Sequence, residues 1–229
     1  MRTTSEMETF KHHNLKTTHM NERIARLIGH TFGDGYIHKE KFYFIYTNSN
    51  QKLLEFVSEI IEKEFGNLKV IKRKSGKNVP QLQFPAKIGR KISELGGIVG
   101  SKVHQSIRIP NWIKNGSEKI KTSFLAAIFD DEGYFRDTKG CKQIVIKFSK
   151  AYELENNLNE FLEDIREMLL QLDIKVSVIK NDQIKQNKKG KIIISKRIWV
   201  TGRNNFLKFR EKIPLIHPEK IEKLLRLCS

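Results

Sequence analysis

Apolar residues recur along the chain at two periods, and the two periods alternate in a fixed order. In residues 50–65 and again in 153–172 they return every three or four positions, which predicts two amphipathic helices. Phe42, Phe44 and Tyr46 alternate with other residues in 41–47, as do Ile144, Ile146 and Phe148 in 143–149, which predicts strands with one buried face. Further strands are expected at 68–74 and 79–84, then at 175–180 and 191–201, each pair separated by a basic turn holding Gly76 or Gly190. Helices near 87–95 and 204–211 close the two series. Each series opens on an apolar helix that ends in an acid followed by glycine. The order helix, two strands, helix, two strands, helix is therefore written twice.

The opening helices carry LIGHTFGDG at residues 27–35 and LAAIFDDEG at 125–133. The interval between them is that of a small domain and not of a short solenoid repeat. The predicted organisation is a basic arm at 1–20, expected to be mobile, a first domain at 21–108, a linker at 109–117 marked by Pro110 and Gly116, and a second domain at 118–229.

Charge narrows the partner. Lys and Arg number 43 against 26 Asp and Glu, a formal net charge of +17, which points to a polyanion and first of all to nucleic acid. No stretch approaches the roughly 18 consecutive apolar residues of a membrane span, and the polar start lacks the apolar core of a secretory signal. A soluble, intracellular protein is expected. The two cysteines, Cys141 and Cys228, stand far apart with no nearby His to complete a zinc set, so neither a zinc fold nor a disulfide scaffold is indicated.

The acids at the helix ends are the candidate chemistry. A helix C-terminus carries unpaired carbonyls and about half a negative charge, so Asp34 in one copy, and Asp130, Asp131 and Glu132 in the other, are unfavourably placed unless a cation is near. A hard divalent ion held by a carboxylate and a free carbonyl would resolve this, with phosphate and water supplying its other ligands. Asp-Gly and Glu-Gly are also ordinary turn signals, but two copies in matching contexts on so basic a chain favour the metal. Gly29, Gly33, Ala126 and Ala127 are small enough for the two helices to cross closely, which would set Asp34 beside Glu132 and suit two ions about 4 Å apart. His30 is read as packing and not as a metal ligand, because the second copy has Ile128 there.

With these motifs the sequence resembles the LAGLIDADG homing endonucleases. The first motif keeps Leu27, Gly29 and the final Gly33-Asp34-Gly35 but has Phe32 where a central acid is usual; the second keeps Leu125 and Ala126, has Ala127 for glycine, and ends in Glu132. The resemblance covers nearly the whole chain after about Asn21. It implies an α+β fold of two tandem αββαββα domains about a pseudo-two-fold axis, with antiparallel sheets forming a saddle on the DNA major groove. It further implies that Asp34 and Glu132 bind catalytic divalent metal, Mg²⁺ in the first instance, with the main-chain carbonyls of Gly33 and Asp131. Lysines of such proteins lie near the attacking water, and Lys102 and Lys220 stand in the corresponding segments. A phosphate-binding role for either is the other reading.

Strand alternation then nominates the DNA face. If Phe42, Phe44 and Tyr46 are core, Lys41, Tyr43, Ile45 and Thr47 point outwards, and in the second half Gln143, Val145, Lys147 and Ser149 do so. Gln81, Gln83, Ser195 and Arg197 continue these faces, with Gln and Arg suited to paired hydrogen bonds with adenine and guanine edges. Arg73, Lys185 and Lys189 lie in basic turns placed for phosphates. The expected function is a monomeric, site-specific endonuclease that cuts both strands of a long asymmetric double-stranded DNA. A non-cleaving DNA-binding protein of the same fold, or a maturase that binds its own intron RNA, is the alternative. A splicing domain is not expected, since the chain closes on Leu227, Cys228 and Ser229 without a His-Asn ending.

Overall fold

A computed structural model describes residues 20–188 and 190–229. The expected arm at 1–20, apart from Met20, and the candidate DNA contact Lys189 lie outside the described residues.

Helix α1 (Glu22–Phe32) starts at Asn21, whose side chain accepts the N–H of Ile24, and it is buried continuously from Ile24 to Phe32. Arg26, His30 and Thr31 are buried along with its apolar residues, so the helix is enclosed on every side. Strands β1 (Gly35–Ile37) and β2 (Phe44–Thr47), helix α2 (Gln51–Phe65), strands β3 (Ile71–Lys74) and β4 (Pro80–Phe84) and helix α3 (Ala86–Glu94) follow. A short helix α4 (Asn111–Lys114) leads to α5 (Glu118–Glu132), which is capped by Ser117 and buried from Phe124 to Asp130. The second series is β5 (Gly133–Thr138), β6 (Cys141–Ala151), α6 (Glu155–Gln171), β7 (Lys180–Gln186), β8 (Ile192–Val200) and α7 (Arg203–Lys212), with α8 (Pro218–Cys228) at the end.

The fold is α+β, with two four-stranded antiparallel sheets ordered β1-β2-β4-β3 and β5-β6-β8-β7. The αββαββα order expected from the sequence occurs twice. Helices α1 and α5 pack on each other between the sheets, and one apolar cluster runs through both halves. Its aromatic members include Phe32, stacked on Phe161 and edge-on to Phe124. Among the described residues no helix is long and apolar enough to cross a membrane.

Several boundaries differ from the expectation. Strand β2 starts at Phe44 and not at Lys41, because Phe42 takes a positive φ of 54° in a turn closed by His38 and Tyr43. Residues 175–179 form only the isolated bridge Val176–Val200, and the strand lies further on, at Lys180–Gln186. Helix α8 was not anticipated.

Candidate functional site

The site grows from the close approach of α1 and α5. A Cβ at Gly29 would stand 2.7 Å from Ala127 Cβ and 2.7 Å from the Phe124 carbonyl oxygen, and one at Gly33 would stand 2.4 Å from Asp131 Cβ. Only glycine permits this spacing, and it brings the C-termini of the two helices, with their acids, to one place.

Asp34 leaves α1 with its N–H donated to Asp131 Oδ2 at 3.0 Å, and its own Oδ2 accepts from Asn48 Nδ2 at 2.8 Å. Burial, and then the charges of Asp131 and Glu132, push the Asp34 carboxyl up to about 7 despite Lys102 and Lys220 nearby. Burial also pushes Glu132 up, opposed by Lys102 and Lys220 and reinforced by Asp131. Asp131 goes the other way. Burial raises it, but the charge and hydrogen bond of His30, with those of Tyr46 and the Asp34 N–H, hold it below the usual carboxylate range. An open cavity of about 360 Å³ lies over this group, lined by Asp34, Asn48, Asp130, Asp131, His217 and Lys220.

The two lysines meet the helix ends. Lys102 Nζ donates to the carbonyls of Gly33 and, at 3.0 Å, Gly35, while Lys220 Nζ donates to Phe129, Asp130 and Asp131 at 3.1, 2.5 and 3.2 Å. Those of Gly33, Asp130 and Asp131 lie at the helix C-termini, where an ammonium is the favoured group, while Gly35 opens β1 and the Phe129 carbonyl also accepts the Gly133 N–H. Burial lowers the pKa of both lysines, opposed by the carboxylates.

All six candidate catalytic and metal residues, Asp34, Glu132, Lys102, Lys220, Gly33 and Asp131, thus share one neighbourhood. Sequence reasoning gave Asp131 only a carbonyl. Its side chain is the hub: Oδ2 lies 3.0 Å from His30 Nδ1, and Oδ1 accepts from Tyr46 Oη at 2.7 Å. His30 is buried at the helix interface, and its Nε2 has no hydrogen-bond partner among the described residues. Arg26 and Asp130 form a buried ion pair that was not anticipated, and Asp130 also accepts the N–H groups of Ile216 and His217. The run of three acids at 130–132 was the available signal. Their partners come from distant elements and could not be read from it.

On the sheets, Lys41 is exposed and Tyr43 half-buried, and with Ile45, Arg73 and Gln83 they line a groove of about 570 Å³. Gln83 is buried in its wall, and Gln81 donates to Thr47 Oγ1 at 2.9 Å. Gln143 is half-buried opposite Arg136. Lys147 and Arg197 face each other across β6 and β8 and both pair with Asp182 at 3.3 Å, while Arg197 also lies over the Trp199 ring. Lys185 is exposed on the edge strand β7. Two expectations are corrected. Val145 is buried, and Ser195 is buried with its hydroxyl 2.7 Å from that of Ser149, so neither side chain stands out from the face as simple alternation required.

Comparison with known proteins adds to this geometry. A family model described as LAGLIDADG-like domain matches residues 119–214. A tRNA-splicing ligase RtcB of Pyrococcus abyssi is 28% identical over 218 residues, covering 86% of this chain and 22% of that protein. The replication factor C small subunit of Methanocaldococcus jannaschii is 27% identical over 209 residues, covering 91% and 10%. The chain therefore spans less than a quarter of either relative. Among solved structures, mesophilic variants of the homing endonuclease I-DmoI match with a TM-score of 0.58 at 17% identity, over 90% of this chain and 98% of theirs. I-DmoI in complex with DNA and Ca matches with a TM-score of 0.58 at 16% identity, over 90% and 98%. Full-length DUF199/WhiA from Thermatoga maritima matches with a TM-score of 0.53 at 12% identity, over 93% and 62%.

Proposed function

We propose that this chain, whose fold matches that of I-DmoI and whose residues 119–214 match a LAGLIDADG-like domain, is a single-chain LAGLIDADG protein with two motifs and a site-specific DNA endonuclease, which breaks both strands of a long asymmetric target by divalent-metal-dependent hydrolysis. One observation carries the reading. Asp34 and Glu132, one from each half, are interacting half-buried carboxylates at paired helix ends, and both are reached by the charges of Lys102 and Lys220.

The residues fit a hard cation. Every donor is oxygen, and the Asp34 carboxyl is pushed up to about 7 first by burial and then by the charges of Asp131 and Glu132, which a bound cation would offset. Asp34 and Glu132, with the carbonyls of Gly33 and Asp131, would hold the ions, Mg²⁺ being the ion that such donors suit. When bound, the metal supplies a water of lowered pKa and stabilises charge on the phosphate. Asn48 orients the Asp34 carboxylate through its 2.8 Å hydrogen bond. Lys102 and Lys220 place fixed positive charge in a site from which much water is excluded, where it acts strongly on a developing oxyanion.

The charge of +17 supplies non-specific attraction to phosphates, with Arg73 and Lys185 on the strands that flank the two basic turns. Gln81, Gln83, Gln143, Lys147 and Arg197 are candidates for base edges, with Lys41, Tyr43 and Thr47 beside them. The first half offers glutamines where the second offers arginine and tryptophan, which supports an asymmetric target. The relatives add support: similarity to most of this chain falls inside a tRNA-splicing ligase and a replication factor, so it belongs to a segment and not to either named activity.

Incubation with a random DNA library and Mg²⁺, followed by sequencing of the fragment ends, tests the reading. One long site with a fixed stagger, lost on chelation, is expected. Specific binding with no cut in Mg²⁺, Mn²⁺ or Ca²⁺ would transfer the chain to the non-cleaving class.

A further inference from the structure

The two active-site lysines are mounted differently. Lys220 stands in the first turn of α8, and the segment leading to it is held by the Asp130 carboxylate through the N–H groups of Ile216 and His217. Lys102 is mounted from its own half only upstream, where the Gly100 N–H donates to the Ile37 carbonyl at 2.8 Å and Val99 bridges Ile37. It opens a single 3₁₀ turn, Lys102–His104, between α3 and α4, with no side-chain cap. A lone turn of this kind makes too few hydrogen bonds to hold its own geometry.

Gln105 Nε2 ties the end of the turn back to the Val99 carbonyl at 2.7 Å, and the other half supplies a further hold. On β6 the residues Ile144, Ile146 and Phe148 point into the core, and Lys150 continues their parity. It is 1% exposed. A lysine there is costly unless its N–H groups find acceptors, and Lys150 Nζ donates to the carbonyl of Lys102 at 2.7 Å and to that of Gln105. Both ends of the turn are thereby fastened to a strand of the second sheet. Among the described residues no equivalent bond joins the first sheet to the segment before Lys220: counted on from the register of β2, the position matching Lys150 is Asn50, which lies beyond the strand and caps α2 with its side chain.

We propose that Lys150 is a positioning residue, which reaches from the second half to fix the turn that presents Lys102 at the Gly33–Asp34–Gly35 end of α1. One half's sheet thereby sets the other half's active-site lysine. The catalytic consequence rests on the endonuclease reading above; the placement of Lys102 does not.

The test compares the parent with Lys150→Met, Lys150→Ala and Lys150→Arg in the full chain. Brief treatment with an amine-acylating reagent and mass spectrometry read the accessibility of Lys102, with Lys220 as internal control. Removal of the ammonium is expected to raise acylation of Lys102 at least tenfold and leave Lys220 at the parental level, while Lys150→Arg, which keeps donors at the site, stays closer to the parent. On strand-labelled DNA, Lys150→Met should slow cleavage of the same strand as Lys102→Met by at least tenfold, with the other strand cut near the parental rate. Unchanged Lys102 protection, equal slowing of both strands, or loss of the fold in both Met and Ala variants overturns the proposal. If the parent cuts no DNA but Lys150→Met still exposes Lys102, the endonuclease reading fails and the positioning role stands.

Discussion

The Asp131 carboxylate accepts the backbone N–H of Asp34 at 3.0 Å, so a side chain of α5 fixes the backbone at the end of α1. The same Asp131 Oδ2 is 3.0 Å from His30 Nδ1, and the paired helices are thereby joined at their acidic ends by charge and hydrogen bonding. The motif residue opposite Asp131 is Gly33, which has no side chain to return the bond. The two halves are alike in fold and unlike in this junction.

Packing upstream of the junction gives a first expectation. Gly29→Ala would bring a methyl to within 2.7 Å of both Ala127 Cβ and the Phe124 carbonyl. Separating the helices should cost about 1 to 3 kcal/mol, the usual range for overpacking, read as a lower denaturant midpoint at unchanged slope. A parental midpoint would mean that the helices yield without loss and that small residues are not required there.

The pH dependence of stability follows from Asp34. Its folded pKa is raised from 3.8 to about 7 by burial and by neighbouring acids, so the folded chain keeps a proton that the unfolded chain releases. The stability this contributes is fully present below about 4 and is lost as pH rises through about 7. In metal-free buffer, melting temperatures of Asp34→Asn should exceed those of the parent at pH 8, and the gap should close towards pH 4. A gap that widens on acidification would reverse the sign and remove the crowded-acid description.

These features differ in how far the sequence announced them. The two motif helices were legible because an apolar run ending in acid-glycine is repeated, and Gly29 and Gly33 signalled the close crossing. Helix α8 was legible in principle, since Pro218 stands at its start and Ile221, Leu224 and Leu227 follow at helical spacing. Strand β7 was not, because all seven residues are exposed and carry no apolar alternation. The roles of Asp131 and Lys150 depend on His30, Tyr46 and the 102–105 turn, contacts that exist only once the chain has folded.

On the second sheet, Asp182 pairs with both Lys147 and Arg197 and lowers the positive charge of the face they share. Asp182→Asn frees two cations for phosphate. Affinity for random duplex should rise, and the slope of log affinity against log salt should steepen by about one for each cation that reaches a phosphate. Arg197→Ala should instead lose discrimination at one or a few base pairs, roughly 1 to 3 kcal/mol for a paired contact. Uniform weakening across all sequences would place Arg197 on the DNA backbone.

The division of acids between halves gives the sharpest test of mechanism. If Asp34 and Glu132 each serve one strand, Asp34→Asn and Glu132→Gln should nick supercoiled DNA bearing the target, or stall after one cut, and the two should differ in the strand left intact. Removing a catalytic electrostatic element commonly costs about 2.7 to 4 kcal/mol, a loss of about 10² to 10³ in rate. Binding measured in Ca²⁺ should remain near parental, because the sheet contacts are untouched. The fold should hold in both variants, since each acid is pushed up by burial and neutralising it relieves an unfavourable charge at a helix C-terminus. Adding Mg²⁺ should raise the melting temperature of the parent by more than that of either variant, which reports metal binding apart from cleavage. Parental double-strand cutting by either variant in Mg²⁺ would remove that acid from the mechanism and return its acid-glycine end to a simple helix stop.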